Sequence, residues 1–280
     1  MSSGSRILLI GGHEFNRRSG NDAICDLIVE LADSVRPRIC LLPTASGDAE
    51  DQIASFRRAF GERGCNPSSI SLFRLGDRPL DVRESLLAQD AIYVSGGSLV
   101  NLLAIWRAHG LDLILRECMA EGILICGQSA GAMCWFDYGV TSSSGAPQPA
   151  RGLGVLPGSA CVHYSEAARR TCFLAAVGAG VIPAGLGLED QTAAIFEGGR
   201  LAESVTARDG ARVWEVARSR GEEPGEGGSE AMARALPGRT IHDRRPAIDA
   251  VSPEVLEFRQ TLAARAANRR ARRGTVGRLD

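Results

Sequence analysis

The chain has 280 residues, 44% of them apolar and 23% charged, the balance of an ordinary globular protein of one large or two small domains. Its formal net charge of −1 provides no field that would make nucleic acid, a membrane surface or a polyanion its main partner. All 32 basic residues are arginine, and the absence of lysine excludes Walker-A phosphate binding, Schiff-base and pyridoxal chemistry, and Ser–Lys dyads.

The first elements alternate between apolar runs and helical patterns. Residues 6–11 read as a buried strand ending at Gly11-Gly12, and residues 21–34 as a helix on Ile24, Leu27, Ile28 and Leu31. Arg38 to Leu42 is a short strand stopped by Pro43, residues 50–63 are helical, and Ser69 to Phe73 is a strand. A short helix over 80–88 precedes the strand Ala91 to Val94, which ends at Gly96-Gly97. Asn101 to Ala120 predicts a long helix interrupted near Gly110, followed by the strand Gly122 to Cys126 and a tight turn into a helix near Ser129. This alternation implies a mostly parallel sheet with helices on both faces.

Past residue 140 the pattern changes to strands and loops, with Gly185 to Phe196 and Ala211 to Val216 as strands of a smaller sheet or of an extension of the first. Residues 219–230 have linker composition, so a domain is expected over 1–218 and an extension over 219–280. The extension carries an Arg-rich helix, Ser252 to Arg273, with Ser252-Pro253 as its start signal. Eight cysteines without a C-x-x-C pair read as buried apolar residues in a reducing compartment. With a start too short in apolar residues for a signal peptide and no membrane-length run, the expected location is the cytoplasm. Four dispersed histidines show no metal-ligand spacing, so neither metal nor cofactor is expected.

Gly127-Gln128-Ser129-Ala130-Gly131 follows an apolar strand and opens a helix, the nucleophile-elbow pattern G-x-S-x-G. A sharp strand-to-helix turn exposes the serine hydroxyl at the carboxyl edge of the sheet, and small flanking residues avoid clashes across it. The Ala130 N–H then points where an oxyanion forms, and Gly97 supplies the second donor. Without lysine the base is a histidine. His163, at an expected strand end in A-C-V-H-Y, is the preferred one; His13 lines the cleft, His109 caps a helix and His242 lies in a polar tail.

These residues resemble the peptidase E group of serine peptidases, which includes α-aspartyl dipeptidases and, more distantly, cyanophycinases. The resemblance rests on G-G-H-E-F near the start, L-L-P-T-A-S-G-D at 41–48, I-Y-V-S-G-G-S at 92–98 and N-L-L-A-I-W-R-A-H-G-L-D at 101–112. It continues in G-Q-S-A-G-A-M-C-W-F at 127–136, L-G-V-L-P-G-S-A-C-V-H-Y at 153–164 and G-L-G-L-E-D-Q-T-A-A at 185–194. It implies an α/β fold related to class I glutamine amidotransferases, Ser129 as nucleophile, His163 as base, and Gly97 and Ala130 as the oxyanion hole. Amidotransfer itself is excluded, because that chemistry needs cysteine at the position of Ser129, and Cys126 and Cys134 lie off the turn.

Two departures stand out. Relatives near aspartyl dipeptidase carry an acid in the loop where this chain has Thr141-Ser142-Ser143-Ser144, and Asp137 is expected to be still on the helix. The cyanophycinase branch points instead to Asp190, then Glu189, as the acid behind His163, with an acid-free dyad as the remaining option. Ser98 replaces an asparagine that helps bind the substrate's N-terminal aspartate, which weakens strict Asp-X specificity. Ser98, Gln128, Glu189 and Arg170, the last beside Arg169, are the expected substrate-binding positions. The expected function is hydrolysis of a small peptide or aspartyl-type amide by a Ser-His-(Asp/Glu) acyl-enzyme route, with a homodimer as a candidate assembly. The alternatives are a specialised amide hydrolase unrelated to Asp-X dipeptides and a catalytically impaired binding or scaffold protein.

Overall fold

The computed structural model describes residues 4–12, 15, 22–219 and 230–242. His13, most of the expected linker and the expected helix Ser252 to Arg273 lie outside the described residues.

The first half of the chain builds β1 (Arg6–Ile10), α1 (Asp22–Leu31), β2 (Arg38–Leu42), α2 (Glu50–Gly61), β3 (Asn66–Ser69), α3 (Val82–Leu87) and β4 (Ala91–Val94). Then come α4 (Leu99–His109), α5 (Leu111–Ala120), β5 (Leu124–Gln128) and α6 (Ala130–Met133). Strands β1, β5, β4, β2 and β3 lie side by side in that order, all parallel. Their side chains alternate between two cores. Ile7, Leu9, Ile92 and Val94 pack on one face with Leu102, Trp106 and Leu115 of α4 and α5. Leu8, Ile10, Ala91 and Tyr93 pack on the other with Ile24, Phe56 and Phe60 of α1 and α2. Burial on both faces is why these strands read as unbroken apolar runs.

The second half adds β6 (Phe136–Thr141), β7 (Gln148–Arg151), β8 (Leu156–Val162), α7 (Ala167–Gly178), β9 (Gly185–Leu188), β10 (Thr192–Glu197) and β11 (Arg200–Thr206). It ends with β12 (Val213–Arg218), β13 (Ala231–Ala235) and β14 (Arg239–Thr240). β10 pairs antiparallel with β1, and β11 and β14 continue the first sheet to eight strands. A second sheet runs β13-β12-β9-β8-β6-β7. Its inner side chains, such as Ala160, Val162 and Leu188, enter the core shared with α4 and α5, while Cys161 and Val216 face α7 through Phe173 and Val177.

Four expectations need correction. The strand expected at Ser69 to Phe73 lies earlier, at Asn66–Ser69, and Leu72–Arg74 is a 3-10 turn. It is an edge strand, which is why Pro67 is tolerated there. The helix after Ser129 spans only Ala130–Met133, so Asp137 stands on β6, where its Oδ2 accepts from the Gly158 N–H at 2.9 Å. The expected single strand over Gly185 to Phe196 is two strands in different sheets, parted by Glu189, Asp190 and Gln191. The boundary at 218 does not end the folded unit, because β13 and β14 add an edge strand to each sheet. The long helix at 101–120 is two helices, with Gly110 between them at φ 64°.

Candidate active site

Ser129 stands at the carboxyl end of β5, where its N–H extends the pairing to β1 by donating to the Ile10 carbonyl at 3.1 Å. Its backbone has φ 52° and ψ −115°, a region non-glycine residues avoid. The surrounding glycines show why the turn has this sequence. A Cβ at position 127 would come within 2.0 Å of the Gly131 carbonyl oxygen, and one at 131 within 2.4 Å of the Val94 carbonyl oxygen. Only residues without a Cβ let β5 turn this tightly into α6 beneath β4.

His163 follows β8 on the second sheet and also has positive φ, 51°. Its Nε2 lies 3.0 Å from Ser129 Oγ, and its Nδ1 lies 2.6 Å from Asp190 Oδ1. The hydrogen bond from His163 holds the Asp190 carboxyl below its ordinary range; burial opposes this, and the charges of His163, Arg208 and Arg169 reinforce it. With Asp190 ionised, Nδ1 donates, which leaves Nε2 free to accept the serine proton. Because folding lowers the Asp190 pKa, the stability it contributes is fully present above the ordinary carboxylate range and is lost as pH falls below that range through the lowered folded value. Thermal midpoints of wild type and Asp190→Asn are therefore expected to differ at neutral pH and to converge as pH drops below about 3.9.

Glu189 faces the other way. Its Oε1 accepts from Trp214 Nε1 at 2.9 Å and its Oε2 from the Arg212 N–H at 3.2 Å, so it fastens the β9–β10 turn to the start of β12 and does not reach His163. Asp137 is likewise engaged elsewhere.

Gly97 follows β4 with φ 143°, and a Cβ there would lie 2.1 Å from the Ala45 carbonyl oxygen. Among the described residues, neither the Gly97 N–H nor the Ala130 N–H donates to another group. Of the four expected substrate-binding side chains, two are otherwise occupied. Ser98 Oγ caps α4 by accepting from the Asn101 N–H at 3.2 Å, and Glu189 is held as described. Gln128 is 8% exposed, and its Oε1 has no partner among the described residues. Arg170 is exposed on α7, whereas Arg169 is tied to Glu166 at 2.9 Å and to the Val140 carbonyl. In the loop without an acid, Ser143 Oγ accepts from the Leu99 N–H at 2.9 Å, a second cap on α4.

Three contributors were missed at the sequence level. Gly12 passes so close to the pair behind Ser129 that a Cβ would meet Asp190 Oδ1 at 1.9 Å and His163 Nδ1 at 2.8 Å. Its carbonyl also accepts from the Gln191 N–H at 2.8 Å, which fixes the turn that presents Asp190. Trp214 anchors that turn through Glu189, and Arg208 adds positive charge near Asp190. The G-G at the end of β1 was a usable signal for Gly12, read only as a strand end. Cys126 and Cys134, which flank the turn, are fully buried, and burial pushes both thiols far above their ordinary range, which rules them out as nucleophiles. Among the described residues no group of three or more His, Cys, Asp and Glu side chains could hold a metal, and no helix is long and apolar enough to cross a membrane.

The chain is 38% identical over 212 residues to the uncharacterized peptidase YgaJ of Bacillus subtilis (strain 168), covering 75% of this chain and 91% of that one. It is 27% identical over 204 residues to a cyanophycinase of Synechococcus elongatus, covering 68% of this chain and 62% of the cyanophycinase. A peptidase from an acI-B1 Actinobacterium superposes with a TM-score of 0.57 at 17% identity, over 83% of this chain and 97% of that one, which shows the shared fold, the class I glutamine amidotransferase-like arrangement. Residues 7–204 match Peptidase family S51, and that stretch runs from β1 through Ser129, His163 and Asp190 into β11. The chain therefore belongs to Peptidase family S51 and is a serine-type peptidase.

Proposed function

We propose that the protein hydrolyses small peptides or aspartyl-type amides through an acyl-enzyme on Ser129. The observation that carries this is the unbroken row from Ser129 Oγ through His163 to Asp190, beside two N–H groups without acceptors among the described residues. Ser129 Oγ attacks the amide carbonyl carbon as His163 Nε2 takes its proton. The Gly97 and Ala130 N–H groups hold the oxyanion. The C–N bond breaks as His163 passes the proton to the leaving amine. Water, deprotonated by His163, then attacks the ester and returns the serine hydroxyl and a carboxylic acid. Asp190 keeps the imidazole in the tautomer this cycle needs.

Gln128, with its open acceptor, and the exposed Arg170 are the side chains left for substrate contacts, since Ser98 and Glu189 already have partners. The substrate class follows from the resemblance to peptidase E. None of the eight cysteines forms a disulfide and seven of them are buried, which supports a reducing compartment such as the cytoplasm.

The test is intact-mass labelling with a serine-directed organophosphonate, followed by a panel of Asp-X, Glu-X and β-aspartyl peptides. A single adduct on wild type, absent in Ser129→Ala and in His163→Ala, is expected. Labelling that His163→Ala leaves unchanged would remove His163 as the base. Labelling of Ser129 without turnover of any peptide in the panel would overturn the substrate class.

A further inference from the structure

A groove of about 450 Å³ lies at the carboxyl ends of β2 and β3, between α2 and the chain from Ser69 to Leu80. That is within the range of small-molecule sites. Ser129, His163, Asp190, Gly97 and Ala130 do not line it. Three features of its lining are chemically incomplete or complementary.

The first is Asp48, which is 9% exposed. One carboxylate oxygen accepts from the Ser71 hydroxyl, and Oδ1 has no partner among the described residues. A buried carboxylate oxygen without a donor is costly, and a cationic donor is what it lacks. The second is the set of arginines. Arg57 bonds Ser69 Oγ at 3.1 Å and Arg74 reaches Glu50 at 3.4 Å, while Arg78, exposed at the rim, has no ion-pair partner among the described residues. The third is an apolar wall that includes Ile53, Leu75 and Leu80, the last 49% exposed.

An unfilled acceptor at the floor, an uncommitted guanidinium at the rim and an aliphatic wall complement one small molecule with an ammonium, a carboxylate and an apolar side chain. We propose that this groove is a second binding site, separate from Ser129, for a free aliphatic α-amino acid. The ammonium faces Asp48, the carboxylate faces Arg78 and Arg57, and the side chain lies on the apolar wall. Such molecules are what peptide hydrolysis releases, but the proposal does not depend on the catalytic reading.

The experiment is calorimetric titration of the full chain with L-leucine, N-acetyl-L-leucine and L-leucinamide. Leucine is expected to bind saturably at one site. The acetylated compound, without the ammonium, and the amide, without the carboxylate, each bind at least about tenfold more weakly. Arg78→Gln and Asp48→Asn each weaken leucine binding by a similar factor, and Arg78→Gln, on the surface, leaves phosphonate labelling of Ser129 unchanged. Absence of saturable leucine binding, equal binding of the three compounds, or leucine binding unchanged in both variants would overturn the proposal. Leucine binding with no labelling of Ser129 would sink the catalytic reading alone and leave this one standing.

Discussion

Replacing Ser129 with alanine is expected to lower kcat/KM by about 10⁴-fold or more, and replacing His163 with alanine by a similar amount. The two residues act as one unit, since among the described residues the hydroxyl bonds no other base and His163 Nε2 no other hydroxyl. The double variant should therefore be little worse than either single one. The activity that remains reflects the Gly97 and Ala130 N–H groups, which neither change touches. Steady-state kinetics on the best peptide of the panel measures this directly. Additive losses, with the double variant falling by the product of the single effects, would mean that Ser129 and His163 serve separate steps. Ser129→Gly gives a second reading of the same turn. At φ 52° and ψ −115° the serine stores strain on the order of 1–3 kcal/mol, so the glycine variant is inactive but melts at a higher temperature than Ser129→Ala.

The next largest effect is expected from a residue with no side chain. Gly12→Ala places a methyl group 1.9 Å from Asp190 Oδ1 and 2.8 Å from the His163 ring, closer than any non-bonded contact allows. Either Asp190 withdraws or the turn after β1 shifts, and both separate the carboxylate from His163. Misplacement of this kind costs about 10²-fold in kcat, with KM changing much less. Gly61→Ala, whose new methyl group would meet nothing within 4 Å, is the matched control and keeps full activity. In an Asp190→Ala background the nearer of the two clash partners is gone, and Gly12→Ala should then cost several-fold less. An equal loss in both backgrounds would show that Gly12 matters for the chain path alone.

These two residues also mark how far the sequence could be read. Ser129 was legible because a motif with its own local mechanics, glycines on both sides of a serine at a strand end, determines the turn without distant help. The place of His163 beside Ser129 could be expected from its strand-end position and from elimination, since a chain with no lysine and four histidines leaves few candidate bases. Asp190 came through resemblance and not through pattern, because nothing in L-E-D-Q says which of two adjacent carboxylates turns inward. That choice is made by Trp214 and the Arg212 N–H, more than twenty residues later, which capture Glu189. The parallel core was readable because β1, β2, β4 and β5 are buried on both faces. The break between β9 and β10 was not, since both strands are apolar and the turn between them carries no Gly or Pro. The strands past residue 218 were hidden by their short length and by the linker-like stretch before them. Ser98 has a role that the motif did not signal: it stands at a helix start, where its hydroxyl oxygen caps α4 on the Asn101 N–H.

The three residues of the reacting row do not share a sheet. Ser129 ends a strand of the first, His163 ends a strand of the second, and Asp190 sits where the chain passes from one to the other. On the proposed function, peptide hydrolysis is therefore expected to report the docking of the two layers and to be lost when they part. The same arrangement sets an order on biosynthesis. A nascent chain that has emerged only as far as His163 already holds serine and histidine, yet it gains its full constellation only when β10 returns to lie against β1, the first strand made.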